Sequence, residues 1–193
     1  NACRRIARAA FEHAQRHGYR SVTVCEKPNV VRETSGMMEE EAKAVAADFP
    51  VAALKTGMLA STAIIECVAA AVDRHRFPQV VVDPVMVAKS GASLLREEAM
   101  AALCRLLIPR ATVLTPNLRE AEAILGRRLE GEEEVREGAR ALHGLGARAV
   151  VMKGGHRRDT PLCVDLLFDG REITEYSAPW VETRNDHGTG CTF

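Results

Sequence analysis

Aromatic side chains are scarce in this chain of 193 residues, at 4% of the total. That leaves little material for the stacking platforms that hold single-stranded nucleic acid. No charge sign dominates either: 26 Lys and Arg face 26 Asp and Glu. With a net charge of zero and no basic block, a general polyanion binder is excluded, and no nucleic-acid partner is expected. No apolar run approaches the ~20 residues that span a bilayer, so no membrane partner is expected. The start, Asn1 to Arg8, is charged and amphipathic rather than built like a signal peptide. The cysteines at 3, 25, 67, 104, 163 and 191 show no metal-pair spacing, and a chain this long needs no disulfide framework. A reducing cytoplasm is the expected compartment. Internal repeats and low-complexity tracts are missing as well.

What is present is 47% hydrophobic residues, enough for a real core in one domain. The apolar residues alternate between helical and strand periods. Residues 4–17 read as a helix with Ile6, Ala7, Ala10, Phe11 and Ala14 on one face. A short strand at 22–25 and a helix at 38–49 follow. Strands are expected at 51–55, 80–82, 112–115 and 149–153. Between them lie helices that start at Ser61, span 96–107 and stop before Pro109, and cover 118–125 and 132–145. Val164 to Phe168 and Ile173 to Tyr176, around Asp169-Gly170, read as a hairpin with a type I′ turn. Continuous apolar strands such as Val80-Val81-Val82 are the mark of a sheet buried on both faces. The expected fold class is therefore α/β, a three-layer α/β/α arrangement with a mostly parallel sheet.

In such sheets ligands bind beyond the carboxyl ends of the strands. There the chain places Thr56-Gly57-Met58, Asp83-Pro84-Val85, Pro116-Asn117-Leu118-Arg119-Glu120, Lys153-Gly154-Gly155 and a closing His187-Gly188-Thr189-Gly190-Cys191. Each alone is weak. Asn117-x-x-Glu120 by itself is more often a helix cap than a metal site, and Lys153 can simply snorkel at a sheet edge. Together they gather polar and glycine-rich residues along one edge. Gly188-Thr189-Gly190-Cys191 is the most informative, because its backbone N–H groups can converge on one anion. Phosphoryl transfer needs such a feature to hold the migrating charge.

These segments resemble a known family. Asp83–Gly91, Leu114–Gly126, Val150–His156, His187–Thr192 and Leu54–Leu59 are similar to the hydroxymethylpyrimidine/phosphomethylpyrimidine kinases of thiamin biosynthesis, within the ribokinase-like superfamily. The resemblance implies phosphorylation of hydroxymethylpyrimidine and its monophosphate with ATP and Mg²⁺ as cofactors. It implies that Asn117 and Glu120 organise the metal–phosphate end, with Asp83 beside them and Lys153 near the nucleotide phosphates. Gly188, Gly190 and Cys191 would form the anion hole, with Cys191 in the catalytic position. Met58 and Val85 would line the pyrimidine pocket. The family's opening glycine-rich loop and closing helices have no counterpart here, so very slow turnover or none, and association into a homo-oligomer, are expected.

Residues 1–45 carry a different likeness. Cys3–Gly36 resembles the isocitrate and isopropylmalate dehydrogenases, with Lys27 and Asn29 at that family's catalytic lysine and its neighbouring asparagine, but Glu26 where that family has His. A solvent-facing lysine is the preferred reading of Lys27. The expected organisation is a dehydrogenase-like segment, 1–45, joined between Met38 and Val51 to a kinase core, 46–193. The alternatives to a kinase are a folded, non-catalytic chimera with weak nucleotide affinity and a fragment of an NAD(P)-dependent dehydrogenase.

Overall fold

The computed structural model describes residues 2–18, 51–86, 95–154 and 162–179. The expected strand at 22–25 and helix at 38–49 lie outside them. Helix α1 spans Ala2–Arg16, followed by strand β1, Leu54–Thr56, helix α2, Thr62–His75, and strand β2, Val80–Val82. Helix α3, Glu97–Ala102, runs on as a π turn, Leu103–Leu107, and a 3₁₀ turn, Ile108–Arg110. Strand β3, Val113–Leu114, helix α4, Leu118–Leu125, helix α5, Glu132–His143, and strand β4, Val150–Met152, come next. Strands β5, Leu162–Phe168, and β6, Ile173–Pro179, close the described chain.

The six strands form one sheet in the order β1-β2-β3-β4-β5-β6. β1 to β4 are parallel, and β5 and β6 add antiparallel to that edge. The register places Thr56 beside Val82, Val82 beside Leu114 and Leu114 beside Val150. Side chains alternate between faces with period two. One face therefore carries Val80, Val82, Leu114, Val150, Met152, Leu166 and Phe168, all buried. They share one core cluster with Ile65, Ala69 and Val72 of α2, Leu103 and Leu107 of the π turn, and Ala139 and Leu142 of α5. On the other face Val81, Val113, Val151 and Leu167 are only half-buried. The expectation of strands sealed on both sides thus holds on one side.

Several boundaries differ from expectation for local reasons. β1 begins at Leu54 rather than Val51, because its partner strand begins only at Val80, and the Gln79 carbonyl just ahead of it accepts the Leu54 N–H at 2.9 Å. Pro109 does not stop the helix ahead of it. It sits in the first turn of the 3₁₀ segment, where its missing N–H costs nothing. Arg110 then clamps both carboxylate oxygens of Asp73 at 2.7 Å and donates to the Leu106 carbonyl, tying this turn to the end of α2. The hairpin turn is centred on Gly170-Arg171, one residue later than expected. Only Gly170 takes positive φ, at 92°, so the turn is not type I′, which needs positive φ at both central residues. Asp169 Oδ1 stabilises it by accepting from the N–H groups of Arg171 and Glu172. α1 buries little of its apolar face: Ala14 is buried, Ala10 and Phe11 are half-buried, and Ile6 is 60% exposed. No helix among the described residues is long and apolar enough to cross a membrane.

Candidate active site

The carboxyl ends of the four parallel strands bring Asp83, Asn117, Glu120 and Lys153 together. Asp83 follows β2 and is 2% exposed. Its N–H donates to the Thr56 carbonyl, which ties it to the end of β1. Lys153 follows β4, and its Nζ donates to Asp83 Oδ1 at 2.9 Å. This ion pair reaches from β4 to β2 and so crosses the end of β3. Lys153 is also fixed by its backbone, since its N–H donates to the Pro116 carbonyl at 2.8 Å and the residue bridges Asn117 in parallel fashion.

Asn117 and Glu120 open α4 as a complete capping box. Asn117 Oδ1 accepts from the Glu120 N–H at 3.0 Å, and Glu120 Oε2 accepts from the Asn117 N–H at 2.8 Å. The bland reading of this spacing is therefore correct as far as it goes. The cap lies beside charges, however. Burial pushes the Glu120 carboxyl above the usual carboxylate range, against the opposing pull of the Asn117 N–H and the Lys153 ammonium, and the negative charge of Asp83 adds to the rise.

Three further residues belong here: Lys55 and Thr115, which the sequence did not single out, and Thr56, which it placed only as a strand end. Lys55, in β1, stands 3.7 Å from Asp83 Oδ2. The hydroxyls of Thr56 and Thr115 are buried and have no hydrogen-bond partner among the described residues. Their common signal is position: each lies at or next to the carboxyl end of a parallel strand. Thr115 lies at the end of β3, the strand that the Lys153–Asp83 pair crosses. Removing an unpaired buried hydroxyl relieves its desolvation, so Thr115→Val should stabilise the ligand-free protein by about 1 kcal/mol. A calorimetric melt that shows a loss instead would reveal a partner for this hydroxyl.

Of the remaining candidates, Val85 lines a shallow cleft with Gly57, Leu59, Met86 and Leu95, while Met58, half-buried on the same loop, does not line it. Gly188, Gly190 and Cys191, like Lys27 and Asn29, lie outside the described residues. A second cleft opens beside Lys153, walled by Leu118, Val135, Met152, Val164 and Leu166. Glu132 and Glu175 also line it, joined by Arg136, which bonds both. No cluster of three or more His, Cys, Asp or Glu ligands occurs among the described residues.

Comparison with known proteins gives this edge a context. The family model for phosphomethylpyrimidine kinase matches residues 11–193, and so runs through the segment where a join was expected. The hydroxymethylpyrimidine/phosphomethylpyrimidine kinase of Bacillus subtilis is 44% identical over 156 residues, covering 81% of this chain and 58% of the relative. The crystal structure of phosphomethylpyrimidine kinase from Clostridium difficile superposes with a TM-score of 0.67 at 34% identity, over 74% of this chain and 61% of that one. Pyridoxal kinase from Staphylococcus aureus, solved with AMP-PCP, gives 0.73 at 32% identity, over 81% and 57%. The chain thus spans somewhat over half the length of these relatives. With a match over nearly its whole length, and with a mostly parallel sheet of ribokinase type, the chain belongs to the phosphomethylpyrimidine kinase family.

Proposed function

We propose that the chain binds ATP and takes part in phosphorylating hydroxymethylpyrimidine and its monophosphate. The observation that carries this reading is the Lys153–Asp83 pair set beside the Asn117–Glu120 box at one sheet edge. In phosphoryl transfer the protein mainly positions reactants and stabilises charge. Lys153 offers a cation for nucleotide phosphates, and the apolar cleft beside it offers walls for a flat ring. Gly188, Gly190 and Cys191 are proposed as the anion hole, and Val85 and Met58 as contacts for the pyrimidine.

The donor set suits Mg²⁺. Asp83, Glu120, Asn117 and the unpaired Thr115 hydroxyl offer only oxygen as metal ligands, and this hard cation usually keeps several waters. Glu120 and Asn117 would hold it, directly or through water, and the ion would neutralise phosphate charge. Asp83 is committed to two lysines and acts on their placement.

A second substrate, pyridoxal, is favoured by the solved neighbours that carry that name. Turnover of hydroxymethylpyrimidine and of pyridoxal with ATP–Mg²⁺, compared as kcat/KM, tests both. A chain that neither binds ADP–Mg²⁺ nor phosphorylates either substrate would refute the assignment.

Glu120→Gln gives a sharper test, because two effects should move in opposite directions. Loss of the carboxylate should weaken Mg²⁺-dependent nucleotide binding more than binding of the bare pyrimidine. The capping box survives, since Gln also serves at its third helical position. Meanwhile the raised carboxyl pKa means that the folded state favours the protonated form. That contribution to stability is fully present below the ordinary carboxylate pKa and is lost as pH rises through the raised value. The variant should therefore melt higher than wild type at pH 7 and close to it near pH 4. Equal melting at both pH values would contradict the burial effect. Equal loss of nucleotide and pyrimidine binding would contradict the role at the metal.

A further inference from the structure

Asp83 has two ammonium partners on two different strands, one tight and one loose. Lys153 Nζ donates to Oδ1 at 2.9 Å, and Lys55 Nζ stands 3.7 Å from Oδ2. The strand order places β2 between β1, which carries Lys55, and the β3–β4 side, from which Lys153 reaches. The carboxylate is thus flanked on both sides within the sheet.

We infer that Lys55 is the reserve counterion of Asp83, a positioning residue that holds the buried carboxylate while Lys153 turns to an anionic phosphate group. The identity of that anion as nucleotide phosphate rests on the proposed function. The physical reason is that a buried carboxylate stripped of its partner is strongly destabilising. With Lys153 as the only cation on Asp83, drawing its ammonium to a phosphate would incur that penalty and weaken anion binding. Lys55 already stands within ion-pair range and outside hydrogen-bond range, so a movement of under about 1 Å supplies the missing bond. Its side chain is 25% exposed against 12% for Lys153. A four-carbon lysine stem can close that distance on Asp83 without moving the strand. The unequal distances describe a carboxylate that can exchange one lysine for the other.

The experiment is a cycle of Lys55→Met, Lys153→Met and the double variant, read by melting temperature without ligand. ADP–Mg²⁺ and adenosine titrations accompany the wild type and the Lys55 variants. Each single variant should fold with a modest loss, because either lysine satisfies Asp83. The double should lose far more than the sum or fail to fold, and adding Asp83→Asn to it should restore much of the loss. Lys55→Met should weaken ADP about tenfold, since Asp83 then retains Lys153, and leave adenosine unchanged. Lys55→Arg, which keeps the charge, should bring ADP back to within about threefold of wild type. Additive losses in the cycle, a Lys55→Met chain that cannot fold by itself, or equal weakening of ADP and adenosine would each overturn the inference. A non-additive cycle in a protein that binds no ADP sinks the nucleotide reading and leaves the reserve counterion standing. An additive cycle in a protein that binds ADP does the reverse.

Discussion

Gly154→Ala should lower the melting temperature by about 6–12 °C, the equivalent of about 3 kcal/mol in a domain of this size. A Cβ on Gly154 would overlap the Val164 carbonyl oxygen and lie 2.5 Å from its carbon. Both are backbone atoms of β5, the strand that runs antiparallel beside β4, so no side-chain rotation can relieve the clash. The Gly154 N–H also donates to Asp165 Oδ1 at 2.7 Å, a second tie to the same strand. To admit one methyl group, β4 and β5 would have to part. Lys153, one residue back, would move with them and loosen its bond to Asp83, so ADP affinity should fall along with stability. Gly126→Ala is the control. Gly126 caps α4 at φ 65° with nothing near its missing Cβ. There the cost is the left-handed backbone alone, about 1 kcal/mol. Similar melting of the two variants would mean that the β4–β5 approach is not rigid.

The same glycine shows where the sequence stops speaking. Gly154-Gly155 after a strand reads as one more polar, glycine-rich strand end. That Gly154 is needed for a close approach depends on β5 returning antiparallel alongside β4, a long-range fact with no local signal. The parallel core was legible because it rests on local signals: the apolar runs at Val80–Val82 and Val150–Met152, the Ser61 cap, and Asn117 and Gly126 at the two ends of α4. Asp83, Asn117, Glu120 and Lys153 were legible because a residue just past a parallel strand falls on one edge whatever the details. Lys55 was missed because it lies within its strand. Only the β1–β2 register, with Lys55 beside Val81, brings its ammonium toward Asp83, two residues further on. The hairpin turn was misplaced by one residue because an Asp-Gly pair suggests its own centre, whereas the Asp169 side chain bonds forward and shifts the turn to Gly170-Arg171. The likeness of Cys3–Gly36 to a dehydrogenase rests on motifs around Lys27 and Asn29, which lie outside the described residues. The family match begins at residue 11, inside that segment.

Leu114→Ala should cost about 3–5 kcal/mol and lower the melting temperature by about 10 °C or more. β3 is only two residues long and sits between β2 and β4, with Leu114 paired to Val82 on one side and Val150 on the other. So short a ladder contributes few hydrogen bonds. What holds the strand is the Leu114 side chain, with no exposed surface, packed in the core cluster shared with the helices. Truncation there leaves a cavity at the centre of the sheet, where both neighbours are fixed and collapse is hardest. The damage should reach the site, because the three residues after Leu114 supply the Thr115 hydroxyl, the Pro116 carbonyl that accepts from Lys153, and the Asn117 cap. ADP affinity should therefore fall even at temperatures where the variant is fully folded. Leu114→Met keeps the volume and should cost less than about 1.5 kcal/mol with little change in affinity. A Leu114→Ala chain that melts within about 3 °C of wild type would show that the ladder, not side-chain burial, holds β3 in place.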